Sequence, residues 1–190
     1  MENVRRGQTL WRGNHLQVFE RTIHGPDGSV ACECVERPGV TDIVAVFPVT
    51  AQRTVLLVEQ FRAPLGSRIL ELAAGLCDVH GETFLQAAKR ELREETGCIG
   101  GMFTAMPYTA ECSGLTNARV HLYVVDGVRR NSKRHLDTAE HASGLSVIEF
   151  PTHGLHRSLL EYQHRTSNPV DAKIIAALSW WRRLRQGGQR

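Results

Sequence analysis

The chain has 190 residues, 42% hydrophobic and 23% charged, the profile of one globular domain that can bury its own core. A net charge of +3 argues against the concentrated basic surface that nucleic acid requires, and no apolar run approaches the roughly 20 residues of a membrane span. The N-terminus, MENVRRGQTLWRGNH, lacks the apolar stretch of a signal peptide. The five cysteines are Cys32, Cys34, Cys77, Cys98 and Cys112. With no second Cys or His pair to complete a zinc set, they read as reduced thiols of a cytoplasmic protein.

In chain order, residues 15–37 read as a β-hairpin. HLQVFERTIH and SVACECVER flank Gly25-Pro26-Asp27-Gly28, with Gly and Pro where tight turns use them. TDIVAVFPVT and TVLLVEQFR are apolar strands parted by Ala51-Gln52-Arg53, and RILELAAGL (68–76) is a further extended segment. A helix follows over 83–96, its apolar face predicted from Leu85, Ala88 and Leu92 and its end set by Gly97. VHLYVV (120–125) and LSVIEFP (145–151) read as strands, and HGLHRSLLEY as a helix. The polar stretch 126–144 reads as a mobile loop. In the last helix Asn168 is the predicted cap, Pro169 the first position, and Ile174, Ile175, Leu178, Trp181 and Leu184 the apolar stripe. The tail arginines Arg182, Arg183, Arg185 and Arg190 read as a solvated helix end. Strands and helices mix without βαβ alternation, which predicts an α+β or α/β sandwich rather than a doubly wound sheet.

The stretch from Gly75 to Cys98, GLCDVHGETFLQAAKRELREETGC, carries the chemistry. Glu91, Glu94 and Glu95 stand at i, i+3 and i+4, so three carboxylates share one helix face. Such crowding destabilises a helix unless something neutralises it. Arg90 and Arg93 do so in part, and a hard divalent cation that prefers oxygen ligands does so better. By spacing alone, a solvated acidic face is the competing reading.

The wider pattern resembles the Nudix box: Gly, five residues, Glu, seven residues, then R-E-apolar-x-E-E-x-G-apolar. Here Glu82 precedes seven residues and then Arg90 to Cys98. Six residues, not five, part Gly75 from Glu82, so the loop before the helix carries one insertion. The resemblance implies a Nudix fold, a mixed β-sheet between helices, and hydrolysis of a nucleoside diphosphate derivative with Mg²⁺ or Mn²⁺. It implies that Glu91, Glu94, Glu95 and the Ala74 carbonyl are metal ligands, with Glu94 and Glu95 in the catalytic centre. Arg90 and Glu82 would brace them.

The segments VLLVEQFRAPLGSRILELAAGLCD, GLTNARVHLYVV and DAKIIAAL resemble the ADP-sugar pyrophosphatase branch, with ADP-ribose the expected type of substrate. That likeness implies an N-terminal β-extension (1–42), a catalytic domain (43–190) and a homodimer joined through the extension. It implies no nucleic-acid or membrane partner. Arg62, Glu71 and Arg37 would contact substrate. Two positions depart from the branch. Where adenine-stacking aromatics are expected stand His15 and Cys32, with Trp11 nearby. Where a loop glutamate is expected stand Ser143 and Ser146, leaving Glu140, beside Asp137 and His141, as the candidate base. A different nucleoside diphosphate derivative as substrate, or a non-catalytic nucleotide-binding module, are the alternative readings.

Overall fold

Strand β4 (Asp42–Thr50) explains the architecture, because from Val44 to Val49 its apolar residues are fully buried. Ala45, Phe47 and Val49 point to one core, Val44 and Val46 to another, so β4 needs cover on both faces. The computed structural model describes residues 3–131 and 133–187. Arg190 of the basic tail therefore lies outside the described residues.

A three-stranded antiparallel sheet comes first: β1 (Asn3–Arg12), β2 (Gln17–Gly25) and β3 (Gly28–Glu36). Gly25 pairs with Gly28 across the predicted turn, where Gly28 takes φ 134, a conformation L side chains rarely adopt. The second sheet is mixed. Its path runs β11 (Ser146–Pro151), β5 (Thr54–Arg62), β4, β10 (Arg119–Arg130), β8 (Cys98–Ala105). Strand β4 is parallel to β10, and β10 is antiparallel to β8. Shorter strands β6 (Ser67–Glu71), β7 (Ala73–Leu76) and β9 (Thr109–Ala110) pair with β5, β4 and β10. Helix α1 (Phe84–Thr96) covers one face. Helices α3 (Leu155–Thr166) and α4 (Ala172–Gly187) cover the other, and short α2 (Thr138–Ala142) precedes β11. The architecture is the expected α+β arrangement of a mixed sheet between helices.

Glu36 fastens the small sheet to the large one. Its buried carboxylate accepts from Arg6 (2.5 Å), from Gln17 and from Asn117 (3.1 Å), and the Val35 amide donates to the Leu115 carbonyl at 2.8 Å. The Arg6 guanidinium holds the Glu36 carboxyl below the usual carboxylate range.

Several elements differ from the sequence reading. Strand β8 went unpredicted because Gly100 and Gly101, at φ 75 and 82, look like a turn and break the alternation. The stretch 126–144 is not one loop. Strand β10 continues to Arg130, opposite Cys98, because pairing with β8 satisfies its backbone despite polar side chains, and α2 follows. Helix α4 begins at Ala172, with the Asp171 carboxylate accepting the Lys173 amide at 2.7 Å. Residues 169–171 stay extended because the Leu70 amide donates to the Pro169 carbonyl (3.0 Å) and the Leu70 carbonyl accepts from the Asp171 amide (2.9 Å), and Asn168 donates to Glu59 (3.4 Å) and Tyr162 (3.2 Å) instead of capping. Ile174, Leu178 and Trp181 are buried as expected. Ile175 and Leu184 are exposed, since the buried stripe passes through Ala177. Leu85 in the first turn of α1 is also exposed, and Ala87 packs in its place.

Candidate active site

Helix α1 starts at Phe84, one residue after the predicted 83, which is its cap. Thr83 and Gln86 form a reciprocal capping box, and Gly97 ends the helix in the left-handed conformation at φ 70. The register between those two stops decides which carboxylates turn inward. Glu91 and Glu95 are 5% and 2% exposed, on the same face as Ala88 and Leu92, whereas Glu94 is half-buried at its rim.

Strand β7 meets this face. The Ala74 amide donates to Glu95 Oε2 at 3.2 Å. A Cβ on Gly75 would stand 2.0 Å from Glu91 Oε1, so the first glycine of the motif leaves room for a carboxylate. Gly75→Ala is therefore expected to destabilise the fold by about 1–3 kcal/mol through overpacking and to impair turnover. Thermal unfolding with parallel activity measurements checks this; a normal melting temperature and activity would refute the close approach.

Arg90 is the hub that keeps the acidic face intact. Its guanidinium donates to Glu82 (3.0 and 3.1 Å), Glu91 (2.5 Å), Glu94 (3.3 Å) and the Leu76 carbonyl (3.2 Å). The hydrogen bonds to Glu82, above all, raise its own pKa. Glu82 thus holds Arg90 from the helix entrance.

Glu140 arrives from far along the chain. Its side chain, with Asp137, closes a capping box on α2: the Asp137 amide donates to Glu140 at 2.6 Å, and the Glu140 amide to Asp137 at 2.7 Å. Helix α2 is docked on β5 and β6. The Phe61 amide donates to the Ser143 carbonyl (3.0 Å), Ser143 Oγ to Gln60 (3.3 Å), and Arg68 to the Gly144 carbonyl (2.8 Å). One oxygen each of Glu91, Glu95 and Glu140 lies within 4.8 Å of the others. Ser143 and Ser146, at the positions aligned with the expected loop acid, make structural bonds, the latter to the Glu59 carbonyl at 3.4 Å.

Burial is the largest influence on the Glu91 and Glu95 carboxyls. It pushes Glu91 up to about 7, against the opposing pull of Arg90, with Glu94 and Glu140 adding repulsion. Burial also raises Glu95 well above the usual range, helped by Glu91 and Glu140. Three converging carboxyls, two of them desolvated, suit a divalent cation, because its charge removes both the repulsion and the cost of burying anions. Burial raises the thiol of Cys77, next to this network, to about 11, which keeps it protonated at neutral pH.

Arg62 and Glu71 are placed together. Arg62 Nε donates to Glu71 at 2.9 Å, and Gln60 Nε2 donates to the same carboxylate at 2.8 Å. Arg37 is exposed at the end of β3. It lines a cavity of about 190 Å³ between the two sheets, together with Leu16, Glu36, Leu76 and Asn117. Leu76 links that cavity to the carboxylates, since its carbonyl is the one that holds Arg90. Trp11 does not line the cavity. Its ring lies over Gly13, where a Cβ would come within 2.3 Å of it.

Sequence reading missed one group. His121 Nε2 lies 2.7 Å from Asp42, Arg119 donates to the other Asp42 oxygen at 2.7 Å, and Phe84 stacks on His121 with ring centroids 3.7 Å apart. This group ties the first turn of α1 to β4 and β10. Nothing in the spacing of 42, 84, 119 and 121 signals it, because only the β4–β10 pairing unites them.

Comparison with known proteins agrees with this geometry. The NUDIX domain model matches residues 40–169. The chain is 36% identical to the ADP-sugar pyrophosphatase of Mus musculus over 142 residues, 71% of this chain and 64% of that protein. It is 30% identical to the ADP-ribose pyrophosphatase of Bacillus subtilis, over 74% of this chain and 75% of that one. It is also 30% identical to the methanol dehydrogenase activator of Bacillus methanolicus, over 78% and 75% of the two chains. The crystal structure of an ADP compounds hydrolase superposes with a TM-score of 0.74 at 19% identity, covering 99% of this chain and 95% of the other, a likeness of fold. With the motif, the mixed sheet and the family model in agreement, the chain belongs to the Nudix family.

Proposed function

We propose that the protein is a pyrophosphatase that hydrolyses the diphosphate of a nucleoside diphosphate sugar, of the ADP-ribose type, to a nucleoside monophosphate and a sugar phosphate. The observation that carries this reading is the convergence of Glu91, Glu95 and Glu140. Glu91, Glu94, Glu95 and the Ala74 carbonyl are the proposed holders of Mg²⁺ or Mn²⁺. When bound, such an ion draws charge from the phosphoryl oxygens and acidifies water.

The protein's own groups divide the remaining work. Arg90 keeps the carboxylates pointed inward. Glu140, pinned by its amide exchange with Asp137, accepts a proton from the attacking water. Arg62, its guanidinium oriented by Glu71, binds the diphosphate, which a planar fork of donors suits. Arg37 holds the nucleotide at the cavity between the sheets. Glu140→Gln is expected to lower kcat by about 10²–10⁴-fold while KM changes little; unaltered kinetics would reject Glu140 as the base.

His15 is exposed and Cys32 half-buried, so neither supplies the stacking surface that adenine-specific relatives are expected to have. Turnover of a nucleoside diphosphate sugar with another base is the second reading. A product assay with magnesium against ADP-ribose, GDP-mannose, diadenosine polyphosphates and nucleoside triphosphates decides. AMP released fastest from ADP-ribose supports the proposal. Faster turnover of another compound replaces the substrate and keeps the chemistry. Binding without turnover supports a nucleotide-binding module.

The extension is proposed as the dimer interface, since Leu10, Trp11, Ile23 and Val30 leave apolar surface on the small sheet. Sedimentation equilibrium is expected to give twice the chain mass; a monomer at micromolar concentration would refute it. Among the described residues no helix is long and apolar enough to cross a membrane. The free thiols support a reducing, cytoplasmic setting, which fractionation would test.

A further inference from the structure

The sheet face opposite α1 carries a cavity that the proposed reaction does not use. It measures about 610 Å³ and lies between the C-terminal half of α4 and strands β8 and β10. Small-molecule sites commonly fall between roughly 300 and 1,000 Å³. Trp181, Leu184, Val124 and Met102 give it an apolar lining, and Arg53 and Arg185 give it charge.

Two arginines point to a ligand. Arg53 sits at φ 63, a left-handed conformation that glycine adopts without strain and arginine does not. It is held there because the Thr152 amide and hydroxyl both donate to its carbonyl, at 2.9 and 2.8 Å. Its guanidinium stands 5.7 Å from the Trp181 ring and makes no ion pair among the described residues. Arg185 also stands 5.7 Å from that ring, oriented by donation to Asp126 at 2.8 Å, which leaves it further N–H groups to give. Trp181 itself is 6% exposed, and its indole N–H is the one buried side-chain polar group without a partner among the described residues.

We propose that this cavity is a second binding site, one that takes a phosphate monoester with a planar or apolar body. The phosphate oxygens accept from Arg53 and Arg185, whose planar donor forks suit them. The body of the ligand covers the exposed side chains of Leu184 and Met102, beside the edge of Trp181. One carboxylate against two guanidinium groups leaves the cavity net positive, so an anion is favoured over a neutral or cationic ligand. Because α1 packs on the other face of the sheet, the site is independent of the carboxylate centre and of any activity assigned to it.

The indole N–H signals in a proton–nitrogen correlation spectrum of the intact protein test this. There are three tryptophans, and Trp11→Phe and Trp180→Phe, at exposed positions, identify the Trp181 signal by elimination. Phenyl phosphate is the probe, with inorganic phosphate as its comparison. The expected result is a saturable shift of the Trp181 signal by phenyl phosphate at concentrations where inorganic phosphate has little effect. Arg53→Gly removes the guanidinium and relieves the backbone, so the variant folds, and it is expected to weaken probe binding about tenfold or more. Glu95→Gln is expected to leave the shift unchanged. No saturable shift, or a shift of equal affinity in Arg53→Gly, would overturn the site. Loss of the shift in Glu95→Gln would place the probe at the carboxylates instead, and an equal response to inorganic phosphate would overturn the assignment of a planar or apolar body.

Discussion

Glutamine in place of Glu95 is expected to lower kcat by about 10²–10³-fold, the loss typical when a group that stabilises transition-state charge is removed. The same variant is expected to raise the stability of the metal-free protein at neutral and alkaline pH. Both effects come from one observation. The Glu95 carboxyl is 2% exposed, and burial lifts its pKa well above the usual carboxylate range, with Glu91 and Glu140 pushing the same way. A neutral amide fills the same space and can still accept the Ala74 amide, yet carries no charge to desolvate. Activity and stability therefore move in opposite directions, which a variant that merely unfolds cannot imitate. Thermal unfolding in a chelator, with turnover measured in magnesium, separates the two. Near-normal turnover would sink the assignment of Glu95 to the centre, and a lowered melting temperature in chelator would contradict its desolvation. At this chain length each kcal/mol moves the melting temperature by about 2–4 °C.

Without metal, the wild-type protein is expected to lose stability as pH rises from about 4.5 to about 7, the span between the ordinary and the native value for Glu91. The folded state binds this proton more tightly than the unfolded chain does. The stabilisation is complete below the unfolded value and is lost as pH climbs through the folded one. Each decade is worth about 1.4 kcal/mol, so the loss approaches about 3 kcal/mol. Glu36, Asp42 and Glu59 act in the opposite sense: their pKa values are lowered, so their contribution is present above the ordinary carboxylate value and disappears in acid. The metal-free stability optimum therefore lies on the acid side of neutrality. Magnesium at about 100 times its Kd is expected to return about 2.7 kcal/mol and to flatten the profile at neutral pH. Melting curves from pH 4 to 8 in chelator and in magnesium check this. A metal-free profile that rises toward pH 7 would refute it, as would one that Glu91→Gln leaves unchanged.

Helix α1 was legible in the sequence because its signals are local. An i, i+3, i+4 carboxylate set and a terminal glycine act within one helix length, so their spacing is their geometry. The strands TDIVAVFPVT and TVLLVEQFR were legible for a related reason: burial on both faces leaves an unbroken apolar run. The same locality misled at Leu85 and at Asn168. Whether a periodic residue is buried depends on what packs over it, and whether a residue caps a helix depends on competing partners, here Glu59 and Tyr162.

By itself, then, the sequence determined the Nudix helix, the order of its acidic groups and the mixed α+β character. The tertiary structure alone decided which carboxylates lose their water, that Gly75 yields its space to Glu91, and that Arg62 lies against Glu71. It also decided that Glu140, 45 residues beyond Glu95 in the sequence, faces Glu91 and Glu95. That last placement depends on hydrogen bonds from β5 and β6 to the turn that ends α2. Contacts between segments so far apart are set by sheet pairing and by the closing of long loops, neither of which leaves a periodic trace in the order of residues.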